Sequence, residues 1–144
     1  MSERPTPHVL VNPASQSRPV GFSHAVIASA GRLVFLAGQG PLDPDGIIRL
    51  TGLVDQFDLS CANLSQVLTA AGGRPEHLTW LQIFVLSASG YREAQKEIGA
   101  AYRRHFGRHY PAMALFEVTS FYDPAALLEL MGIAVIPGPM QSKS

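Results

Sequence analysis

Cysteine is almost missing from this chain. Cys61 stands alone, so no internal disulfide forms and no thiolate metal set exists. Charge of one sign is missing too. Eleven basic residues balance eleven acidic ones, which removes the basic excess that nucleic-acid binders usually carry. The densest cationic stretch, Arg103-Arg104-His105 with Arg108-His109, reads as a solvated helix end whose cations suit the dipole. No N-terminal segment joins a charged region to an apolar one, so no secretory leader is expected. Apolar runs reach about ten residues, too short to cross a bilayer. A soluble cytoplasmic protein is the expectation, with no nucleic acid, membrane, metal or cofactor implied. Charged residues are scarce as well, 15% against 47% hydrophobic. That leaves thin polar cover for a small monomer, so part of the apolar surface is expected to meet another subunit.

Across 144 residues one domain is expected, with a core over about 20–136 and loose termini. Residues 1–7 read as a frayed end and 12–21 as an irregular loop. Runs at 23–28 and 32–37, separated by Ser29-Ala30-Gly31, read as a hairpin. Asp43-Pro44-Asp45-Gly46 is a turn. From 53 to 71 the period becomes helical, with Phe57, Cys61, Leu64 and Leu68 on one stripe and Gly72-Gly73 as the stop. A strand over 78–87 carries apolar residues on both faces. A second helix is expected over 90–106, with Ser89 as N-cap and Gly107 as the stop. After Pro111, residues 112–118 alternate, Met113, Leu115 and Glu117 on one side and Ala114, Phe116 and Val118 on the other. A last strand covers 127–136. The order predicts an α+β fold with one mixed sheet, covered on one face by two helices. The other face needs cover that the chain does not supply.

Glu129 is the sharpest chemical signal, because it is the lone ionisable residue in the apolar run 127–136. Such a carboxylate is buried with a partner, opens onto a cleft, or faces water at the strand edge. Glu117 reads as a ligand for a backbone amide or an arginine as readily as a catalytic group. His24 reads as a hydrogen-bonded structural histidine, with a base as the alternative. His105 and His109 have metal-pair spacing, but Gly107 interrupts the helix between them. Gly38-Gln39-Gly40 lacks the third glycine of a dinucleotide loop. No nucleophile–base pair is present, so the supportable chemistry is a carboxylate positioning a water.

Several stretches together resemble the Rid family, also called RidA, YjgF or YER057c and labelled endoribonuclease L-PSP. They are Gly21-Phe22-Ser23-His24-Ala25-Val26, residues 33–39 with Pro41-Leu42-Asp43-Pro44, Gln56, Asn63 and Ala70-Ala71-Gly72. Phe84-Val85, Pro111-Ala112, Phe116-Glu117-Val118, Glu129 and Ile133-Ala134-Val135 continue the match. The resemblance implies a chorismate-mutase-like protomer, a homotrimer with a central barrel, and ligand clefts between subunits. It also implies hydrolysis of imines and enamines to keto acids and ammonia. In active members an arginine after the Pro-Ala clamps the substrate carboxylate, and a tyrosine and a glutamate place the water. Here those positions hold Met113, Phe22 and Glu129. Ala37 and Leu115 replace two further polar residues.

On that resemblance the chain is a divergent member. Glu129 is its catalytic candidate, and Phe22, Gly38, Phe84, Met113, Leu115 and Glu117 are its substrate-binding candidates. Three readings stay open. One is a hydrolase (deaminase) for a neutral or aromatic imine or enamine, weak on 2-imino acids. The second is a non-catalytic metabolite-binding or regulatory trimer, and the third an endoribonuclease.

Overall fold

The computed structural model describes residues 5–139. The tail expected to be loose, and the first four residues of the expected frayed terminus, lie outside that range. Strands β1 (Val9–Val11) and β2 (Ala25–Ile27) form a two-stranded antiparallel sheet. The main sheet is built from β3 (Gly31–Gln39), β4 (Leu78–Val85), β5 (Ala112–Glu117) and β6 (Leu128–Pro137), in the order β3-β6-β4-β5. Only the β4–β5 pair is parallel, so the sheet is mixed and the architecture α+β. Helices α1 (Leu53–Ala70), α2 (Ala88–Glu93) and α3 (Gln95–Phe106) complete it.

The helices cover one face of the sheet. Phe57, Cys61, Leu64 and Leu68 of α1 are fully buried, as the spacing predicts. They meet Ile98, Ala101 and Phe106 of α3, Leu81 and Val85 of β4, and Leu128 and Leu130 of β6 in one core. Truncating a leucine here, such as Leu64→Ala, would cost about 2–5 kcal/mol. Helix α1 ends in a left-handed glycine, Gly72 at φ 90°. The Gly73 amide then donates to the Leu68 carbonyl at 2.9 Å and Gly72 to Thr69 at 2.9 Å, which satisfies the last carbonyls. Gln56 is buried within this frame. Its amide donates to the carbonyls of Leu50 and Ala125 and accepts from the Leu127 amide, at 2.8, 3.0 and 2.8 Å. The start of α1 is thereby tied to the loop that feeds β6.

Four expectations need correction. The 23–28 and 32–37 runs do not pair with each other. β2 joins β1, a strand not foreseen, while β3 joins β6. The link at Ser29–Gly31 contains no positive φ, which tight hairpin turns use. Gly31 instead lies against the Ile136 carbonyl, leaving no room for a Cβ. The second helix is two helices, broken at Ala94, and its N-cap is Ser87, whose Oγ accepts from the Gly90 amide at 3.0 Å. Strand β4 is buried on one face only. Leu81, Ile83 and Val85 are inside, whereas Trp80, Gln82 and Phe84 are half-exposed. The near-terminal segment is anchored rather than frayed. Thr6 Oγ1 donates to the Glu76 carbonyl at 2.7 Å, and the His8 ring bonds the His77 carbonyl at 2.8 Å.

The uncovered face of the sheet exposes Leu33 at 63% and Phe35 at 74%. No described helix is long and apolar enough to cross a membrane.

His109 is buried, with Nε2 on the Leu78 carbonyl at 2.8 Å. Burial lowers its pKa from 6.5, outweighing the carbonyl that favours the charged ring. Burial lowers His77 as well. The unfolded chain therefore takes up protons below about pH 6.5 that the folded chain still refuses, so stability falls as pH drops through that value. Thermal midpoints should be lower at pH 5.5 than at pH 7.5, and His109→Gln should shrink the difference; a difference unchanged by that variant would refute the assignment.

Candidate functional site

Strand β5 is positioned from outside the sheet. Ser23 donates its amide to the Pro111 carbonyl at 3.0 Å and its hydroxyl to the Tyr110 carbonyl at 2.7 Å, and it forms a parallel bridge with Ala112. Phe22 is thereby held beside the start of β5. The register of β5 on β4 sets Met113 against Leu81 and Leu115 against Ile83, so both point to the helix side. Between them and α2–α3 lies a cavity of about 460 Å³, lined by Phe22, Ile83, Tyr91, Tyr110, Met113 and Leu115 among others. Three of the binding candidates thus meet here.

Tyr102 stacks on Tyr110 at 5.4 Å between ring centres and donates its hydroxyl to the His109 carbonyl at 2.6 Å. Burial pushes Tyr91 up to about 12 and Tyr102 well above its ordinary value. Both phenols stay neutral and serve as walls, not bases.

Glu129 is on the other side of the sheet. It sits opposite Phe84, and Phe84 stacks on Phe116 at 6.0 Å. The β3–β6 ladder slips here, with Leu36 opposite Gly132 but Gln39 opposite Leu130. Ala37 and Gly38 therefore share the place opposite Met131 and form a bulge. The Glu129 carboxylate lies directly over Gly38. A Cβ there would run into Oε1 and stand 2.7 Å from Cδ. Among the described residues, none donates a hydrogen bond to this half-buried acid.

Glu117 joins neither group. Its Oε1 accepts from the Ala88 amide at 3.0 Å, which ties the end of β5 to the first turn of α2. His24 bonds the Ser17 carbonyl at 2.8 Å and holds the 12–24 loop. His105 pairs with Asp58 at 2.9 Å and His109 with Leu78, so the two rings serve different partners. Burial pulls the Asp58 pKa up, but the bonds from His105 and Arg104 win and lower it.

The candidates thus form two groups on opposite faces of the sheet, one with the acid and one with the apolar cavity. The sequence reading missed Tyr91, Tyr102, Tyr110, Gln95 and Arg103 as cavity residues. Tyr91 and Tyr102 were legible only as core stripe, and Arg103 only as helix-end charge. A larger, open depression of about 1070 Å³, lined by Arg74, Glu76, Arg103, Arg104, His105 and His109 among others, holds none of the catalytic or substrate-binding candidates. Arg74 and Arg104 are engaged by Glu76 at 3.2 Å and Asp58 at 3.0 Å.

The profile of the family described as Endoribonuclease L-PSP matches residues 15–136. Protein DfrA of Myxococcus xanthus is 31% identical over 115 residues, 79% of this chain and 84% of that protein. Protein HMF1 of Saccharomyces cerevisiae is 25% identical over 99 residues, 69% of this chain and 72% of that protein. Among solved structures, YyfB of Yersinia pestis, described as a Rid-family protein of unknown function, superposes with TM-score 0.79 at 29% identity. That match covers 90% of this chain and 98% of the other.

The Gly38–Glu129 contact is open to a double-mutant cycle. Gly38→Ala should cost about 1 kcal/mol with Glu129 present and nothing with Glu129→Ala, a coupling of at least ~0.5 kcal/mol, read by urea unfolding. Additive effects would mean that the carboxylate does not rest on that glycine.

Proposed function

We propose, from the premise that this chain belongs to the Rid (YjgF, endoribonuclease L-PSP) family and has its chorismate-mutase-like α+β fold, that it is a small-molecule hydrolase. Glu129 holds the water that attacks an imine or enamine with an apolar body. The observation that carries the reading is the seat of this acid: a half-buried carboxylate over a bulge glycine, accepting no hydrogen bond among the described residues. Such a group is free to accept from water.

The chemistry is simple to balance. Glu129 takes a proton as the water oxygen bonds the imine carbon. Glu129 returns that proton to nitrogen, giving the neutral carbinolamine, and then relays the hydroxyl proton to nitrogen as the C–N bond breaks, so that ammonia or an amine leaves and a carbonyl remains. A general base of this kind contributes about 10²–10⁴ in rate. Glu129→Gln should therefore lower hydrolysis of a freshly generated aryl imine by at least ~100-fold at unchanged thermal midpoint. Equal rates would overturn the assignment.

Met113 shapes the substrate range. Members that clamp 2-imino acids carry an arginine at this place, and methionine offers neither charge nor donor. Loss of such a pair is worth roughly 2–5 kcal/mol, so turnover of small acids such as 2-iminopropionate is weak. The apolar lining also favours a second reading, a metabolite-binding trimer without turnover. In that case ligand binding survives in Glu129→Gln and no rate exists to lose. Ribonuclease action is disfavoured by a net charge of zero.

Assembly joins the two half-sites in this proposal. The partner is a second copy in a homotrimer, docked where Leu33 and Phe35 are exposed, and each cleft takes its acid and its cavity from different copies. Sedimentation should give three times the chain mass; a monomer at working concentration would sink the shared-cleft arrangement.

A further inference from the structure

The cavity beside β5 contains a cationic group that the hydrolytic reading does not use. Arg103, in the third turn of α3, lines it together with Gln95 and Gly99. Its guanidinium folds back toward the start of the helix, the direction that helical side chains favour. A Cβ on Gly99 would stand 3.2 Å from Arg103 Nη1 and 4.0 Å from Cζ, and the three nearest atoms all belong to that arginine. Glycine within a helix is unfavourable relative to alanine. A Cβ here would move the guanidinium by only a few tenths of an ångström, so what Gly99 records is how closely that group lies over the helix.

Arg103 also differs in pairing from the adjacent Arg104, which has Asp58 at 3.0 Å. Among the described residues, no carboxylate pairs with Arg103. An unmatched planar fork at the edge of an apolar, aromatic cavity of about 460 Å³ suits a ligand with an apolar body and one anionic end.

We propose that this cavity binds an amphiphilic carboxylate, an aryl or long-alkyl acid, anchored by Arg103 from the helix side. The body lies against Phe22, Tyr110 and Met113, and the carboxylate meets the guanidinium in a bidentate pair. For the reacting group this inference rests on the hydrolytic reading. The substrate then carries its anion at the far end of the apolar body, away from the imine carbon, because the cation stands on α3 and not on the strand at position 113.

Calorimetric titration of the full chain with 3-phenylpropionate and its uncharged amide, 3-phenylpropionamide, tests the assignment. The acid should bind at least about tenfold tighter than the amide. Arg103→Gln should bring the two within about twofold, with amide binding retained as the control for an intact cavity. Arg104→Gln, whose guanidinium pairs with Asp58, should keep the preference. Equal binding of acid and amide to the unmodified protein, no binding of either, or a preference that survives Arg103→Gln would each overturn it. The two proposals fail separately. An acid preference with Glu129→Gln still fully active removes the hydrolase and keeps the anchor, whereas an inactive Glu129→Gln with no acid preference does the reverse.

Discussion

The register of β6 is the constraint on which the rest depends. This strand lies between β3 and β4, and its side chains alternate between the helix-covered face and the open one. Leu128 and Leu130 are fully buried on the covered side, and that places Glu129 on the open side. A slip of one residue would bury the carboxylate and expose both leucines. An isolated ionised acid inside the core would cost several kcal/mol. Two glycines lock the alignment from either flank. Gly132 faces the Trp80 carbonyl at 2.6 Å from where a Cβ would sit, and Gly31 faces the Ile136 carbonyl more closely still. Among the described residues, the acid is therefore placed by hydrophobic burial and backbone proximity, with no side-chain hydrogen bond of its own.

The cavity beside β5 has a different origin. It is the gap left where β5, the strand at the end of the main sheet, runs past the α2–α3 junction. Ser23 fixes one side of that gap by binding the carbonyls of Tyr110 and Pro111. Tyr102 and Tyr110 stack along the other side. Both sides rest on the same core that holds β6.

Much of this was legible in the sequence, and the reasons are local. The stripe Phe57, Cys61, Leu64, Leu68 has a clean helical period, and its residues are fully buried. The alternation after Pro111 gave β5, and the apolar run around Glu129 gave β6. What failed to show depends on contacts distant in sequence. β1 is three residues long with a mostly exposed pattern, so it has no period to detect. Its neighbour His8 is held by the carbonyl of His77. The break at Ala94 falls on a residue that favours helix, and no breaker marks it. The uses of Gly38 and Gly99 are invisible in one dimension, since each glycine matters only for the side chain that lies over it.

Those two glycines show how the fold seats charge without burying it. Gly38 sits in a β-bulge and leaves space for a carboxylate, while Gly99 sits on a helix with a guanidinium lying closely over it. Neither charge has an opposite partner among the described residues, and they lie on opposite sides of the main sheet. An acid and a cation held in contact would neutralise each other and offer a ligand little. Kept apart by a rigid apolar layer, each retains its capacity to interact, the acid with water and the cation with an anion. Under the proposed assembly, that separation lets a sheet with one uncovered face build a site from two copies. In the proposed trimer the strand that sets the acid and the helix that sets the cation stay fixed, and the docking of a second copy brings them to one cleft.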